Sequence, residues 1–196
     1  MILFFDTETT GFTRPNLPID DAAQPYIVQL AAQLCQPDGK VVAGFSLVIG
    51  NDVEIPAQAK AVHGITEEHC VRFGVSPLSA MSMFAHFHQR ADLIVAHNIK
   101  FDKDVIETGM TRAQGKEMRL KKPLYCTMEA AKPIVQLPPT DRMRAAGFNG
   151  PKAPKLEECI RHFFGEELAG AHDAEADMLG CKRVYFHLQT LGATAP

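Results

Sequence analysis

The sequence has no hydrophobic run long enough to cross a membrane. Its apolar start covers residues 1–5, no basic residue precedes it, and acids at positions 6 and 8 follow at once. A membrane-spanning helix needs about 20 consecutive apolar residues, and a secretory leader begins with a basic region. We therefore expect no membrane segment.

Cysteine is scarce and lacks the spacings of a metal or disulfide framework. The five cysteines, an odd number, include no C-x-x-C pair. This pattern argues against a structural zinc site and favours a reducing, cytoplasmic location. Internal repeats and low-complexity tracts are also absent. Because 196 residues with 46% hydrophobic content can build one sizeable core, we expect a single domain over residues 1–196.

The chain has no overall surplus of positive charge. Lys and Arg number 20 against 23 Asp and Glu, a formal net charge of −3, which argues against tight, salt-sensitive binding to long duplex nucleic acid. Basic residues concentrate in the middle, where residues 100–161 hold 13 of them with 8 acids. Two basic segments stand out, residues 112–122 and 138–155. Each is either a solvated face or a phosphate-binding surface.

What the chain does contain is a set of acids in apolar surroundings. The first two lie in the segment MILFFDTETTG, whose apolar run and Thr-Gly ending are typical of a buried strand leaving a sheet. Since strand side chains alternate, Ile2, Phe4, Asp6 and Glu8 share one face. Two carboxylates at that interior face require raised pKa values or a bound cation. The alternative is an edge strand that leaves into solvent.

A third acid, Asp102, follows a short apolar segment. Residues 93–96 predict a buried strand, which a turn joins to a helix beginning near Phe101. Asp102 is three and four residues before Val105 and Ile106, so it lies on the flank of the apolar face. An ordinary acid at a helix N-terminus is the alternative. Other charged residues are expected to point away from that face: Lys103, Asp104 and Glu107.

The fourth acid interrupts the apolar stripe of a C-terminal helix. Residues 173–191 predict a long amphipathic helix, and Asp177 lies in the middle of its stripe. An acid on such a face needs a cation or a hydrogen-bond donor. His172 precedes the helix and shares a face with Asp177 only if its loop folds back. The stripe comprises Ala174, Asp177, Met178, Cys181, Val184, Tyr185 and Leu188.

The remaining pattern is that of an α/β protein. Strands over residues 27–35 and 40–50 are joined by a Pro-Asp-Gly turn, which predicts an antiparallel meander with the first strand. Ser76 and Pro77 predict the start of a helix that runs to about Arg90. Further predicted elements are a strand over 124–127 and helices over 128–135 and 155–164.

Three motifs together resemble the DEDDh family, the DnaQ-like 3'-5' exonucleases. They read DTETTG at 6–11, HNIKFD at 97–102 and HDAEAD at 172–177, in the family's order. The histidine at position 172, where a sister group carries tyrosine, indicates the DEDDh branch. The resemblance implies an α/β, ribonuclease H-like fold. Its mixed five-stranded sheet would combine an antiparallel meander of strands one to three with parallel strands, flanked by helices.

The resemblance also implies a chemistry. Asp6, Glu8, Asp102 and Asp177 would hold two divalent cations, and His172 would be the general base that takes a proton from the attacking water. Carboxylate oxygens suit Mg²⁺ or Mn²⁺ rather than zinc, and an unperturbed imidazole has a pKa of ~6.5. The expected partner is nucleic acid with a free 3' end, as single-stranded DNA or frayed ends, cut to nucleoside 5'-monophosphates.

The family pattern implies substrate contacts at six further positions: Thr9, Thr10, Ile65, His97, Asn98 and Phe101. Thr9 and the backbone near Thr10 would meet the terminal 3' hydroxyl, and Asn98 would brace the scissile strand. Ile65, in the segment VHGITEEH, and Phe101 would pack against terminal bases. For both of these apolar residues a plain core role is an equal alternative.

Two other functions remain open. An RNA exonuclease of the oligoribonuclease or ribonuclease T type would use the same five residues. A nucleic-acid-binding module without catalysis would be expected to lack one of the five, and all are present. The chain ends at residue 196, soon after Asp177, so we expect a free-standing enzyme, as a monomer or homodimer; a polymerase partner is not indicated.

Overall fold

The acid-bearing strand lies at the centre of a five-stranded sheet. The computed structural model describes residues 1–193, and its strands have the order β3-β2-β1-β4-β5. β1 to β3 form an antiparallel meander, and β4 and β5 add parallel strands beside β1. The predicted mixed sheet is confirmed. The strands are β1 (Ile2–Thr9), β2 (Ile27–Cys35), β3 (Val41–Val48), β4 (Leu93–Ala96) and β5 (Leu124–Cys126).

Eight helices are found within residues 1–193. They are α1 (Ala57–His63), α2 (Glu67–Phe73), α3 (Pro77–Arg90), α4 (Ile99–Gln114), α5 (Thr127–Val135), α6 (Asp141–Ala145), α7 (Leu156–Phe164) and α8 (Ala174–Thr190). In this part of the chain no helix has the length and apolar content needed to span a bilayer.

Helices cover both faces of the sheet, which explains the continuous apolar run of β1. Ile2 and Phe4 pack with α5, α7 and α8 in one cluster, whereas Leu3 and Phe5 pack with α3 and α4 in another. A central strand buried on both sides needs apolar residues at successive positions. Each such side chain contributes about 1.5–3 kcal/mol by leaving water. Asp6 and Glu8 therefore leave this core on the α8 side.

The predicted boundaries agree with the structure wherever capping or turn residues mark them. Ser76 caps α3, with its hydroxyl accepting from the Ser79 amide and Pro77 at the first helical position. α4 begins at Ile99, two residues before the predicted start. Three short helices are not predicted by the sequence pattern: α1, α2 and α6.

Glu107 is the clearest departure from the predicted pattern. It does not point away from the core, because its side chain is fully buried. One carboxylate oxygen accepts from the Leu120 amide at 2.8 Å, and ion pairs of 2.9 Å join the group to Lys103 and Arg119. These partners compensate the burial of the charge. Arg119 is thus committed to an internal contact.

Arg112 also makes internal contacts, so its guanidinium is not a free basic group. Its guanidinium donates to the carbonyls of Asp21, Gln24 and Pro25 at 2.7–2.9 Å. It also lies 4.0 Å from the centre of the Tyr26 ring. From inside the same loop, the Gln24 side chain bonds the Arg14 amide and carbonyl at 2.9 Å. The β1–β2 connection is therefore a fixed structure, and the basic segment 112–122 begins with a structural arginine.

We expect Arg112→Ala to lower the free energy of unfolding by about 2–4 kcal/mol, because three carbonyl acceptors lose charged donors. Urea unfolding measures this change. Lys116→Ala, an exposed residue of the same basic segment, is the control and should change stability by less than ~0.5 kcal/mol. Equal effects of the two substitutions would contradict the structural role.

Candidate active site

β1 delivers two carboxylates to the α8 side of the sheet. Asp6 and Glu8 follow Ile2 and Phe4 on the same face, and both are half-buried. Their neighbours on β2 are Ala31 and Gln29 respectively. The predicted alternative of an edge strand is wrong, since β1 is flanked by strands on both sides.

Asp102 reaches the same place from the first turn of α4. It is 3% exposed, and one of its carboxylate oxygens accepts from the Thr7 amide at 3.1 Å and the Thr7 hydroxyl at 2.8 Å. β4 runs parallel to β1, so the helix that follows β4 begins beside the end of β1. Asn98 makes this turn with a left-handed backbone, φ = 62°, which Asn tolerates better than most residues. Asp102 is thus more than a solvated acid at a helix N-terminus.

The loop before α8 does fold back, as sharing a face with Asp177 requires. The His172 amide donates to the Asp177 carboxylate at 3.2 Å, and His172 has φ = 68°, a region that non-glycine residues occupy rarely. Ligand atoms of Glu8, His172 and Asp177 all lie within 4.8 Å of one another. The structure therefore brings together residues that are far apart in sequence.

A hydrogen-bonded clamp, which the sequence analysis missed, holds this loop. Asp173 caps α8 by accepting from the Glu175 and Ala176 amides. The buried Gln29 side chain donates to the other Asp173 oxygen at 2.8 Å and accepts from the Ala174 amide at 3.1 Å. β2 thereby fixes the residues that flank His172.

Burial and mutual repulsion raise the pKa values of the four acids. Burial, with the charges of Asp102 and Asp177, raises the pKa of Asp6 well above its usual range. Burial, followed by the charge on Asp177, raises the pKa of Glu8 to about 8. Burial raises the pKa of Asp102 to about 7 even though its bonds from Thr7 act in the opposite direction. Burial also raises the pKa of Asp177.

The donor set fits divalent cations. Within residues 1–193, none of the four acids forms an ion pair with Lys or Arg. Oδ1 of Asp177 is buried and has no hydrogen-bond partner among the described residues. Unpaired buried carboxylates are costly unless a cation compensates them, and oxygen donors suit hard cations. The site therefore has the charge and the unused donor atom that a bound divalent cation would need.

The acids line a pocket of about 520 Å³ that opens to solvent. Three predicted substrate contacts line it too: His97, Asn98 and Phe101. Phe12 and Val62 also line it and were missed by the sequence analysis. The Phe12 ring is 87% exposed and lies edge-on to Phe101, 6.3 Å between ring centres. The mouth of the pocket is therefore aromatic.

The other predicted substrate contacts lie close to the pocket but not on its wall. The Thr9 hydroxyl donates to the Gly11 carbonyl at 2.7 Å, and the Thr10 hydroxyl accepts from the Tyr26 amide. Ile65 is 8% exposed and belongs to a small apolar cluster with Val28, Ile55 and Cys70. Its side chain has the core role that was the alternative in the sequence analysis, and Val62 from the same segment faces the pocket.

Both ring nitrogens of His97 are hydrogen-bonded within the protein. Its Nε2 lies 3.0 Å from the Pro154 carbonyl, and its Nδ1 lies 2.9 Å from the Thr127 hydroxyl. A carbonyl only accepts, so Nε2 carries the proton and Nδ1 accepts from Thr127. Burial lowers the pKa of His97 to about 4, in keeping with a neutral ring. Both nitrogens are engaged, so His97 can meet a substrate only through its ring face.

A third histidine, His63, lies beside this site, close to His172. Its Nδ1 accepts from the Ile65 amide at 3.0 Å, and Nε2 is buried without a partner among the described residues. Burial, with a smaller contribution from neighbouring His172, lowers the pKa of His63. His63 lies within the segment VHGITEEH, but its spacing from the acids does not identify it as a residue of the site.

The raised pKa values predict how stability depends on pH and metal. The folded protein retains protons on these carboxyls that the unfolded chain releases from about pH 4 upward, so the free energy of unfolding falls as pH rises toward about 8. Without divalent cations, the melting temperature should therefore fall between about pH 5 and about pH 8. Mn²⁺ should raise it strongly near pH 8 and weakly near pH 5, where protons compete.

The control for this measurement is Glu8→Gln, which removes one titrating group. Its melting temperature should fall less over the same pH range, and Mn²⁺ should raise it less. A wild-type melting temperature that rises with pH, or one that Mn²⁺ leaves unchanged near pH 8, would contradict the predicted linkage.

Solved structures with a similar fold are exonucleases. E. coli Exonuclease I in complex with a dT13 oligonucleotide aligns with a TM-score of 0.71 and 20% sequence identity. The alignment covers 96% of this chain and 41% of that one. A moderately thermophilic Exonuclease I from Methylocaldum szegediense aligns with a TM-score of 0.66 and 19% sequence identity. That alignment covers 93% of this chain and 39% of that one. The chain thus spans about two fifths of the length of these structures. A search of curated proteins found no match.

A family model gives the assignment that fold similarity alone does not. The model, RNase_T, described as Exonuclease, matches residues 3–185. This range includes all three acidic motifs and, apart from Ile2 at the start of β1, every strand residue of the sheet. The protein therefore belongs to this exonuclease family, the DEDD group of the ribonuclease H-like superfamily.

Proposed function

We propose that the protein is a metal-dependent 3'-5' exonuclease that releases nucleoside 5'-monophosphates. The observation that carries this proposal is the meeting of four unpaired acids and His172 at one pocket, with Oδ1 of Asp177 left without a partner. Four separate elements supply them: β1, α4, α8 and the loop that leads into α8. Metal-assisted hydrolysis of a phosphodiester uses this combination of cation ligands and a base.

The acids would hold two divalent cations, Mg²⁺ or Mn²⁺. Asp6, Glu8, Asp102 and Asp177 would each supply carboxylate oxygens to hold them. When bound, the cations would lower the pKa of the attacking water and neutralise charge on the leaving oxygen. Asp102 already has one oxygen engaged by Thr7, which fixes its orientation and leaves the other oxygen free for a ligand.

His172 would take the proton from the attacking water. Its side chain is exposed at the pocket, and its backbone is held by Asp177 and by the clamp of Gln29 on Asp173. A side chain in this position can reach a water molecule in the pocket. Its nearness to Glu8 and Asp177 also allows the alternative role of a cation ligand, which the variants below separate.

The pocket mouth favours an unpaired 3' end. Phe12 is almost fully exposed beside Phe101, and exposed aromatic rings bind unpaired bases by stacking, at about 1–3 kcal/mol per base. The dT13 oligonucleotide bound to *E. coli* Exonuclease I is itself a single strand. We therefore propose single-stranded DNA as the substrate, with Thr9, Thr10 and Asn98 near the terminal nucleotide.

The test of this function is a cleavage assay with Mn²⁺ or Mg²⁺ on 5'-labelled single-stranded DNA, duplex DNA and RNA. We expect single-stranded DNA to give a ladder that shortens from the 3' end, with nucleoside 5'-monophosphates as product. Faster cleavage of RNA would favour the ribonuclease alternative. If none of the substrates is cleaved, the enzyme hypothesis is wrong.

The general-base role predicts different behaviour for two substitutions. His172→Ala should lower turnover by about 10²–10⁴-fold while Mn²⁺ binding, measured by calorimetry, is retained. Asp6→Ala should abolish both turnover and Mn²⁺ binding. Equal loss of Mn²⁺ affinity in the two variants would show that His172 is a ligand rather than the base.

A further inference from the structure

Residues 138–155, the basic arm, form an exposed extension beside the pocket. Twelve of its 18 residues are exposed to solvent, among them the unbroken run 144–150, whereas Pro154 is buried. The arm contains one acid and four basic residues: Asp141, Arg142, Arg144, Lys152 and Lys155. It was one of two basic segments noted in the sequence, and the other begins with arginines committed to internal contacts. The arm is therefore the better candidate for a charged binding surface.

The tip of the arm is an ordered turn. The Thr140 hydroxyl accepts from the Met143 amide at 3.2 Å and caps α6. After α6, the amide of Phe148 donates to the Met143 carbonyl at 2.9 Å, and Gly147 has φ = 81°. This closing turn normally brings the residue after glycine against the helix. Here Phe148 is 66% exposed, so the turn displays an aromatic ring to solvent.

The base of the arm is joined to the active site. The Pro154 carbonyl accepts from His97 Nε2, and Ala153, Pro154 and Lys155 line the pocket that holds the acids. The Lys152 amide donates to the Leu137 carbonyl at 3.1 Å and closes the two ends of the arm together. A strand leaving the pocket on this side would meet the arm next.

Most of the arm's charges have partners, and one does not. Arg144 pairs with Asp141, Lys152 with Glu158, and Lys155 more loosely with Glu157 at 3.3 Å. In the described part of the chain Arg142 has no ion-pair partner within 4.0 Å. An unpaired arginine and an exposed aromatic ring within one ordered turn are the two groups that bind single-stranded nucleic acid.

We propose that the basic arm binds the single strand upstream of its 3' end, with Phe148 stacking on a base and Arg142 contacting a phosphate. The proposal rests on the proposed exonuclease function and extends its substrate site beyond the pocket. The six residues from Pro154 to Phe148 span at most about 20 Å. At no less than ~3.4 Å per nucleotide, the contact lies within about six nucleotides of the terminus.

Charge and position favour nucleic acid over a protein partner. The arm carries a net positive charge on a chain whose net charge is negative, and it continues directly from the wall of the acidic pocket. A polyanionic substrate with its 3' end in the pocket would be attracted to the nearest positive surface. The arm would thereby add affinity without taking part in the chemical step.

The test compares two substrates in Mn²⁺. One is a 5'-labelled oligothymidylate of about 20 nucleotides, long enough to cover a strand-binding surface. The other is the p-nitrophenyl ester of thymidine 5'-monophosphate, which has no upstream nucleotide. We expect Phe148→Ala and Arg142→Ala each to raise KM for the oligonucleotide about tenfold. kcat, and both constants for the ester, should stay within about twofold of wild type.

Salt dependence identifies the phosphate contact. Removing one phosphate contact should reduce the slope of log K against log salt by ~0.7 for a single strand. We expect this change for Arg142→Ala and none for Phe148→Ala. Two substitutions are matched controls. Phe73→Ala removes an aromatic ring of α2 that is 61% exposed, and Lys121→Ala removes an exposed lysine of the other basic segment. Both should leave KM for the oligonucleotide unchanged.

Each outcome decides between explanations. Unchanged KM for the oligonucleotide in both arm variants would overturn the proposal and leave a protein partner as the reading of this surface. Equal increases in KM for both substrates would also overturn it, since the variants would then distort the pocket. If wild type cleaves neither substrate, the proposed function fails, and fluorescence anisotropy of the labelled oligonucleotide decides about the arm: weaker binding by both variants supports it, and unchanged binding overturns it.

Discussion

Repulsion between carboxylates at the end of β1 is the constraint that organises this protein. Asp6 and Glu8 leave the core on one face, and Asp102 and Asp177 approach them from two helices. Nothing in the described chain neutralises the group with Lys or Arg; burial first, and repulsion between the acids second, raises the pKa values. The surrounding structure tolerates this because β1 is buried on both sides by apolar helices. Packing elsewhere therefore stabilises a site that by itself opposes folding.

The sequence predicts the parts of the fold whose determinants are local. Alternation along β1, the Pro-Asp-Gly turn after β2 and the cap at Ser76 each act within a few residues, and the structure agrees with them. α1, α2 and α6 are seven, seven and five residues long. Helices this short have little stability of their own and form through tertiary contacts, which leave weak periodicity in the sequence. Glu107 was misjudged for a similar reason, since its partner Arg119 lies beyond the end of its helix.

The residues of the site also divide into those that the sequence predicts and those that it does not. Asp6, Glu8 and Asp177 are recognisable in the sequence because a carboxylate conflicts with the apolar residues around it, whereas Asp102 and His172 are recognisable through the family's motif order. Phe12 and Gln29 carry no such conflict. An aromatic residue in a loop and a glutamine in a strand are ordinary, and their roles depend on how the β1–β2 connection folds and on which loop meets β2. Ile65 shows the opposite case. The family pattern implies a substrate contact there, but its side chain belongs to a buried core cluster.

One hydrogen-bonded chain joins the acidic site to the basic arm. The Pro154 carbonyl requires a proton on His97 Nε2, so Nδ1 accepts from Thr127, whose hydroxyl is in turn 3.5 Å from the Cys181 sulfur on α8. Burial raises the pKa of the Cys181 thiol, so it stays protonated and can donate to Thr127. The Thr127 hydroxyl then donates to His97 and accepts from Cys181. The helix that carries Asp177 and the base of the arm are thus held at a fixed separation, and a strand bound by both would present the same phosphodiester to the acids at each encounter.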